Sequence, residues 1–122
     1  MELSESARLA AGNAIAPYSG FRVGAALLTS NGVVYTGCNV ENPSLSLSVC
    51  AEKVALFKAL SEGEREFAAI AVYASNKEHC PPCGSCRQLL FEFAPDLLVL
   101  LVGKKDFKLK KISELLPEAF KV

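Results

Sequence analysis

The spacing of apolar residues changes along the chain, and each change marks an element. Residues 4–15, with several alanines, read as a helix, with Ser4 placed to cap the start and Pro17 and Gly20 ending the pattern. Arg22 to Leu28 and Val33 to Cys38 then read as two strands joined by the turn Ser30-Asn31-Gly32. A polar loop, NVENPSLSLS, leads to a second helix from Cys50 to Ser61. Ala68 to Ala74 and Leu97 to Val102 are short apolar runs suited to buried strands, with a helix, Gly84 to Ala94, between them and stopped by Pro95. Phe107 to Ile112 is a weaker strand, and Ser113 is placed to cap a last turn, SELLPEAF.

This order predicts an α/β domain over residues 1–122, three layers α/β/α around a mixed five-stranded sheet. The second helix adds a detail. Ala51, Val54, Ala55, Leu56, Phe57, Ala59 and Leu60 leave little of its circumference polar. A helix apolar nearly all round is buried on most sides, either by packing against other subunits as well as its own sheet or by lying at the centre of a monomer.

Composition narrows the class without naming a function. The 122 residues are 51% hydrophobic and 21% charged, a globular balance, and the formal net charge is zero. No electrostatic pull toward nucleic acid or anionic lipid is built in. Lys104, Lys105, Lys108, Lys110 and Lys111 are the one basic cluster, and Lys108 and Lys110 around Leu109 read as the wet face of a strand. No apolar run reaches the ~20 residues of a membrane span. Five cysteines, an odd number, and the lack of a charged-then-apolar leader point to a reducing cytoplasmic setting.

In that setting clustered cysteines read as metal-binding or redox-active. The stretch HCPPCGSCRQ places His79, Cys80, Cys83 and Cys86 within ten residues. Cys83-Gly84-Ser85-Cys86 opens a predicted helix, whose free N–H groups favour thiolates. Alone the motif fits a redox pair, half of a structural zinc site or part of a catalytic one. Cys50-Ala51-Glu52 also opens a predicted helix, with a carboxylate two positions on. At a first turn both side chains can lean around the open end of the helix toward a common point.

The pair C-A-E and P-C-G-S-C resembles the zinc deaminase signature. Three protein ligands leave zinc a fourth position for water, whose pKa the ion lowers, and a nearby carboxylate shuttles protons. A four-ligand structural site has no use for Glu52. The resemblance extends through APYSGFRVGAAL (16–27), GCNVEN (37–42), CAEKVALFKA (50–59), PCGSCRQ (82–88) and ELLPEAF (114–120). Over nearly its whole length the chain resembles the small homotetrameric cytidine deaminases that act on free nucleosides.

The resemblance implies one zinc ion per chain, held by Cys50, Cys83 and Cys86, with Glu52 as proton shuttle. Asn39 and Glu41 would hold the ribose hydroxyls and Phe21 would pack on the pyrimidine. The backbone of Ala51 and the Ser85–Cys86 region would help to read the base, and Phe120 would reach a neighbouring subunit's site. Cytidine and 2′-deoxycytidine are the implied substrates, with no nucleic-acid or membrane partner. Two positions depart from the family's pattern. Lys53 stands where Arg is common, so its point charge would compensate the thiolates without Arg's planar fork. Leu45 stands where an aromatic is usual. His79 and Cys80, held off by Pro81-Pro82, read as bystanders.

Overall fold

The computed structural model of the chain describes residues 2–120. Its centre is a five-stranded sheet in the order β2 (Val34–Cys38), β1 (Val23–Thr29), β3 (Phe67–Ala74), β4 (Leu98–Val102), β5 (Phe107–Lys111). The expected hairpin pairs β1 (Val23–Thr29) with β2 (Val34–Cys38), and the Thr29 N–H donates to the Val33 carbonyl at 2.8 Å. A three-residue loop of this kind needs a left-handed last residue, which Gly32 supplies at φ 92°. On its other side β1 runs antiparallel to β3 (Phe67–Ala74). β3 and β4 (Leu98–Val102) are parallel, the pairing that requires a crossover, and α3 (Gly84–Phe93) supplies it. β5 (Phe107–Lys111) closes the sheet antiparallel to β4.

Alternation along the strands divides the core into two faces. Leu3 and Ala7 of α1 (Glu2–Ala11) pack on Ala26, Ala69, Ala71, Leu100 and Val102. On the opposite face, Ala51, Ala55 and Leu56 of α2 (Ala51–Ser61) and Leu90 of α3 cover Ala25, Leu27, Ile70, Val72 and Val99. The layers are therefore α/β/α, as expected. Two glycines set how closely the layers approach. A Cβ on Gly24 would meet the Ala7 carbonyl oxygen at 2.0 Å, and one on Gly37 the Ala51 carbonyl oxygen at 2.4 Å. The second contact presses the first turn of α2 onto β2, which fixes where Cys50 and Glu52 emerge.

Several boundaries differ from expectation. Ser4 is not a cap: it lies inside α1, buried against the sheet, with its hydroxyl unpaired. α1 ends at Ala11 rather than residue 15, because Ile15 joins an extended segment instead. Its N–H donates to the Asn39 carbonyl at 3.0 Å, and its carbonyl accepts from the Glu41 N–H at 2.8 Å. Alanine spacing cannot distinguish a helix from the chain that leaves it. The last helix, α4 (Ile112–Leu115), is capped at Lys111, whose N–H donates to Glu114 at 2.8 Å, and Ser113 sits within its first turn. Leu109 is 56% exposed, because β5 is an edge strand with neither face fully covered. Its flanking lysines discourage another strand from pairing there.

Candidate active site

Two helix N-termini meet beside the central strands β1 and β3. Cys50 is the N-cap residue of α2 and Cys83 that of α3, both in extended conformation, and neither sulfur caps its own helix. The sulfurs turn toward each other instead. Cys50 Sγ lies 3.7 Å from Cys83 Sγ, and Cys83 Sγ lies 3.3 Å from Cys86 Sγ. All three lie within 4.8 Å of one another. Zinc–sulfur bonds of about 2.3 Å in tetrahedral array separate sulfurs by about 3.8 Å, so this donor set fits zinc with a small outward shift.

The charges around the thiols are unequal. The Cys50 thiol is pulled down to about 6, first by a hydrogen bond from Cys86 and then, against burial, by Cys83 and the Lys53 ammonium. That same bond pushes Cys86 up, and burial and the Glu52 carboxylate add to it. Glu52 is 5% exposed. Burial drives its carboxyl up to about 7, helped by the charge of Cys50 and opposed by its own backbone N–H and Lys53. A carboxyl poised there can hold or release a proton near neutrality.

Glu52, Ala51, Cys50 and Cys83 line a cavity of about 300 Å³, together with Phe21, Asn39 and Glu41. Asn39 donates from Nδ2 to the Phe21 carbonyl at 2.7 Å and accepts the Val23 N–H on Oδ1 at 2.8 Å. Glu41 accepts the N–H groups of Tyr18 and Ser19 at 3.0 and 3.1 Å on Oε1, and the Ser19 hydroxyl on Oε2. That hydroxyl is the main reason its carboxyl lies below the ordinary range. Both side chains therefore grip the loop that carries Phe21.

Other expected residues stand apart. Phe120 is 73% exposed and outside the cavity wall, and its carbonyl accepts from Gln88 at 3.1 Å. Cys80 lines the cavity without joining the three sulfurs, and His79 pairs with Asp106 at 2.8 Å. Two residues were not signalled by sequence. Ser19 gives no hint of its bond to Glu41, 22 residues away. Arg87 donates from Nε to the Pro82 carbonyl at 2.8 Å and from Nη1 to the Leu115 carbonyl at 3.0 Å, fixing the approach to Cys83. Only the adjacency of Arg87 to the cysteine motif could have drawn attention to it.

Comparison with known proteins places this arrangement in context. Residues 1–102 match the family model described as the cytidine and deoxycytidylate deaminase zinc-binding region. A cytidine deaminase of Halalkalibacterium halodurans is 50% identical over 109 residues, covering 88% of this chain and 83% of the relative. One from Sporosarcina psychrophila is 47% identical over 111 residues, covering 88% and 80%. The crystal structure of the cytidine deaminase from Burkholderia pseudomallei superposes with a TM-score of 0.93 at 49% identity, covering 98% of this chain and 97% of that one.

Proposed function

The chain belongs to the cytidine and deoxycytidylate deaminase family, and we propose how its own residues carry the family's reaction. That reaction is the zinc-dependent hydrolysis of cytidine to uridine and ammonia. The observation that carries the assignment of roles is the three-sulfur group at two helix N-termini beside a buried carboxyl. Cys50, Cys83 and Cys86 hold the zinc. When bound, the ion supplies a Lewis acid that makes water a nucleophile at neutral pH.

Glu52 then manages the protons. It takes one from the attacking water and delivers it to N3 as the C4–oxygen bond forms. A second proton moves through Glu52 to the exocyclic amine, so that the C4–nitrogen bond breaks with ammonia leaving. Its carboxyl, brought to about 7 by burial, suits both directions of transfer. Lys53 supplies positive charge beside Cys50. Phe21 packs on the pyrimidine, the Ala51 backbone helps to read the base, and Asn39 and Glu41 bind the ribose. A cavity of about 300 Å³ is at the small end of ligand pockets, as a nucleoside requires. Deoxycytidine is a second substrate, since the base contacts are unchanged by loss of one hydroxyl.

The chain acts as one catalytic domain over residues 1–122, in a cytoplasmic homotetramer. Exposed Leu45, Leu47, Val49, Phe57 and Phe120 supply apolar surface for subunit contacts, with Phe120 reaching a neighbour's site. Among the described residues no helix is long and apolar enough to cross a membrane. Ammonia release from cytidine, deoxycytidine, blasticidin S and single-stranded DNA tests the reading. Turnover of the two nucleosides, with one zinc per chain, is expected. Activity confined to the other two substrates would overturn it.

A further inference from the structure

Glu41 has a particular set of partners. A carboxylate offers about four acceptor positions. Here Oε1 takes the N–H groups of Tyr18 and Ser19, and Oε2 takes the Ser19 hydroxyl. One position on Oε2 remains, on a side chain that lines the cavity. The Ser19 hydroxyl is itself held from behind, because it accepts the Phe21 N–H at 2.9 Å. With that lone pair occupied, its one hydrogen is directed to Glu41.

The same residue is gripped from its other end. The Phe21 carbonyl accepts from Asn39 Nδ2 at 2.7 Å. Ser19, Phe21, Asn39 and Glu41 thus form a continuous chain of hydrogen bonds, in which Phe21, Asn39 and Glu41 line the cavity. Ser19 is the only member absent from that lining, and its side chain both accepts from the Phe21 backbone and donates to Glu41.

We infer that Ser19 is a positioning residue for sugar recognition, its hydroxyl setting the orientation of Glu41 so that the remaining acceptor site on Oε2 meets a ribose hydroxyl. This rests on the reading of Glu41 as a ribose contact. Without the hydroxyl, Oε2 loses its anchor while Oε1 keeps two backbone donors, so the carboxylate swings about Oε1. The ribose bond weakens, whereas zinc and Glu52 are untouched, and Phe21, which loses one backbone acceptor, is still held at its carbonyl by Asn39. The loss therefore falls on substrates in proportion to the hydroxyls they carry.

The test compares kcat/KM for cytidine and for 2′,3′-dideoxycytidine in the wild type, Ser19→Ala and Ser19→Thr. The wild type prefers cytidine. Ser19→Ala lowers that preference about tenfold, the effect of one charge-assisted hydrogen bond, with kcat for cytidine nearly unchanged. Ser19→Thr, which keeps the hydroxyl, restores it. An equal loss on both substrates, an unchanged preference in Ser19→Ala, or a preference that Thr does not restore would each overturn the role of Ser19. A wild type indifferent to the sugar hydroxyls would instead remove Glu41 as a ribose contact, and is read from the unmodified protein alone. Melting temperatures of both variants separate loss of fold from loss of recognition.

Discussion

Two groups of metal-ligating side chains lie among the described residues, and by proximity they are equivalent. Cys50, Cys83 and Cys86 have their sulfurs within 4.8 Å of one another, and so do the ligand atoms of Glu78, His79 and Asp106. They differ in what already occupies those atoms. Both Glu78 oxygens accept the Lys104 N–H, at 2.9 and 3.1 Å, and His79 Nε2 is paired to Asp106 at 2.8 Å. Arg8 adds bonds to the adjacent Gly103 carbonyl at 3.2 and 3.0 Å. This corner fastens the loop before α3 to the β4–β5 turn. The three sulfurs, by contrast, hydrogen-bond chiefly to one another, at two helix ends that favour negative charge. Close donors make a metal site only where their lone pairs are not committed elsewhere.

The largest expected effect tests the sulfur group directly. Cys83 is exposed, so Cys83→Ser opens no cavity in the core. Zinc content should fall from one per chain to near zero, and turnover by about a thousandfold or more, the scale of losing a Lewis acid. Metal analysis and ammonia release measure the two quantities. Retention of stoichiometric zinc would move the third ligand elsewhere and weaken the contrast.

Next in size is the energetic consequence of burying Glu52. Its folded carboxyl titrates near 7, above the ordinary value of 4.5. Between those values the unfolded chain has released a proton that the folded chain retains, so stability falls as pH rises through this window. Above about pH 7 the cost levels off at roughly 3 kcal/mol. Glu52→Gln should abolish deamination and raise the melting temperature at pH 8, with the gap closing toward pH 5. A variant no more stable than the wild type at pH 8 would show that the buried charge is already compensated.

How far the sequence revealed these features depends on their range. The hairpin was legible because Asn31-Gly32 is a local turn signal, and the metal group because C-A-E and P-C-G-S-C are short motifs at helix starts. Ser4 and Ser113 misled because capping chemistry identifies a residue type, while burial against the sheet and the Glu114 contact to Lys111 decided the actual helix ends. The Ser19–Glu41 bond and the Glu78–Lys104 staple join residues far apart in sequence. No period or spacing encodes them. HCPPCGSCRQ illustrates both cases: its two later cysteines could be assigned by motif, but the partner of His79 required the fold.

The smallest expected effect belongs to the second cluster. Asp106→Asn keeps the side-chain shape and removes the charge facing His79. The turn itself should survive, because the Asp106 carbonyl still accepts the Gly103 N–H at 2.8 Å. The Asp106 side chain is 70% exposed, where a contact of this kind contributes at most about 1 kcal/mol and its charged part is screened by salt. Zinc should stay at one per chain, kcat/KM within about twofold, and the small loss of stability should shrink at high ionic strength. If instead the wild type holds two zinc ions and this variant one, the corner is a metal site and the distinction between committed and free lone pairs fails. If zinc is unchanged but activity falls tenfold, the corner governs how the loop before α3 presents Cys83.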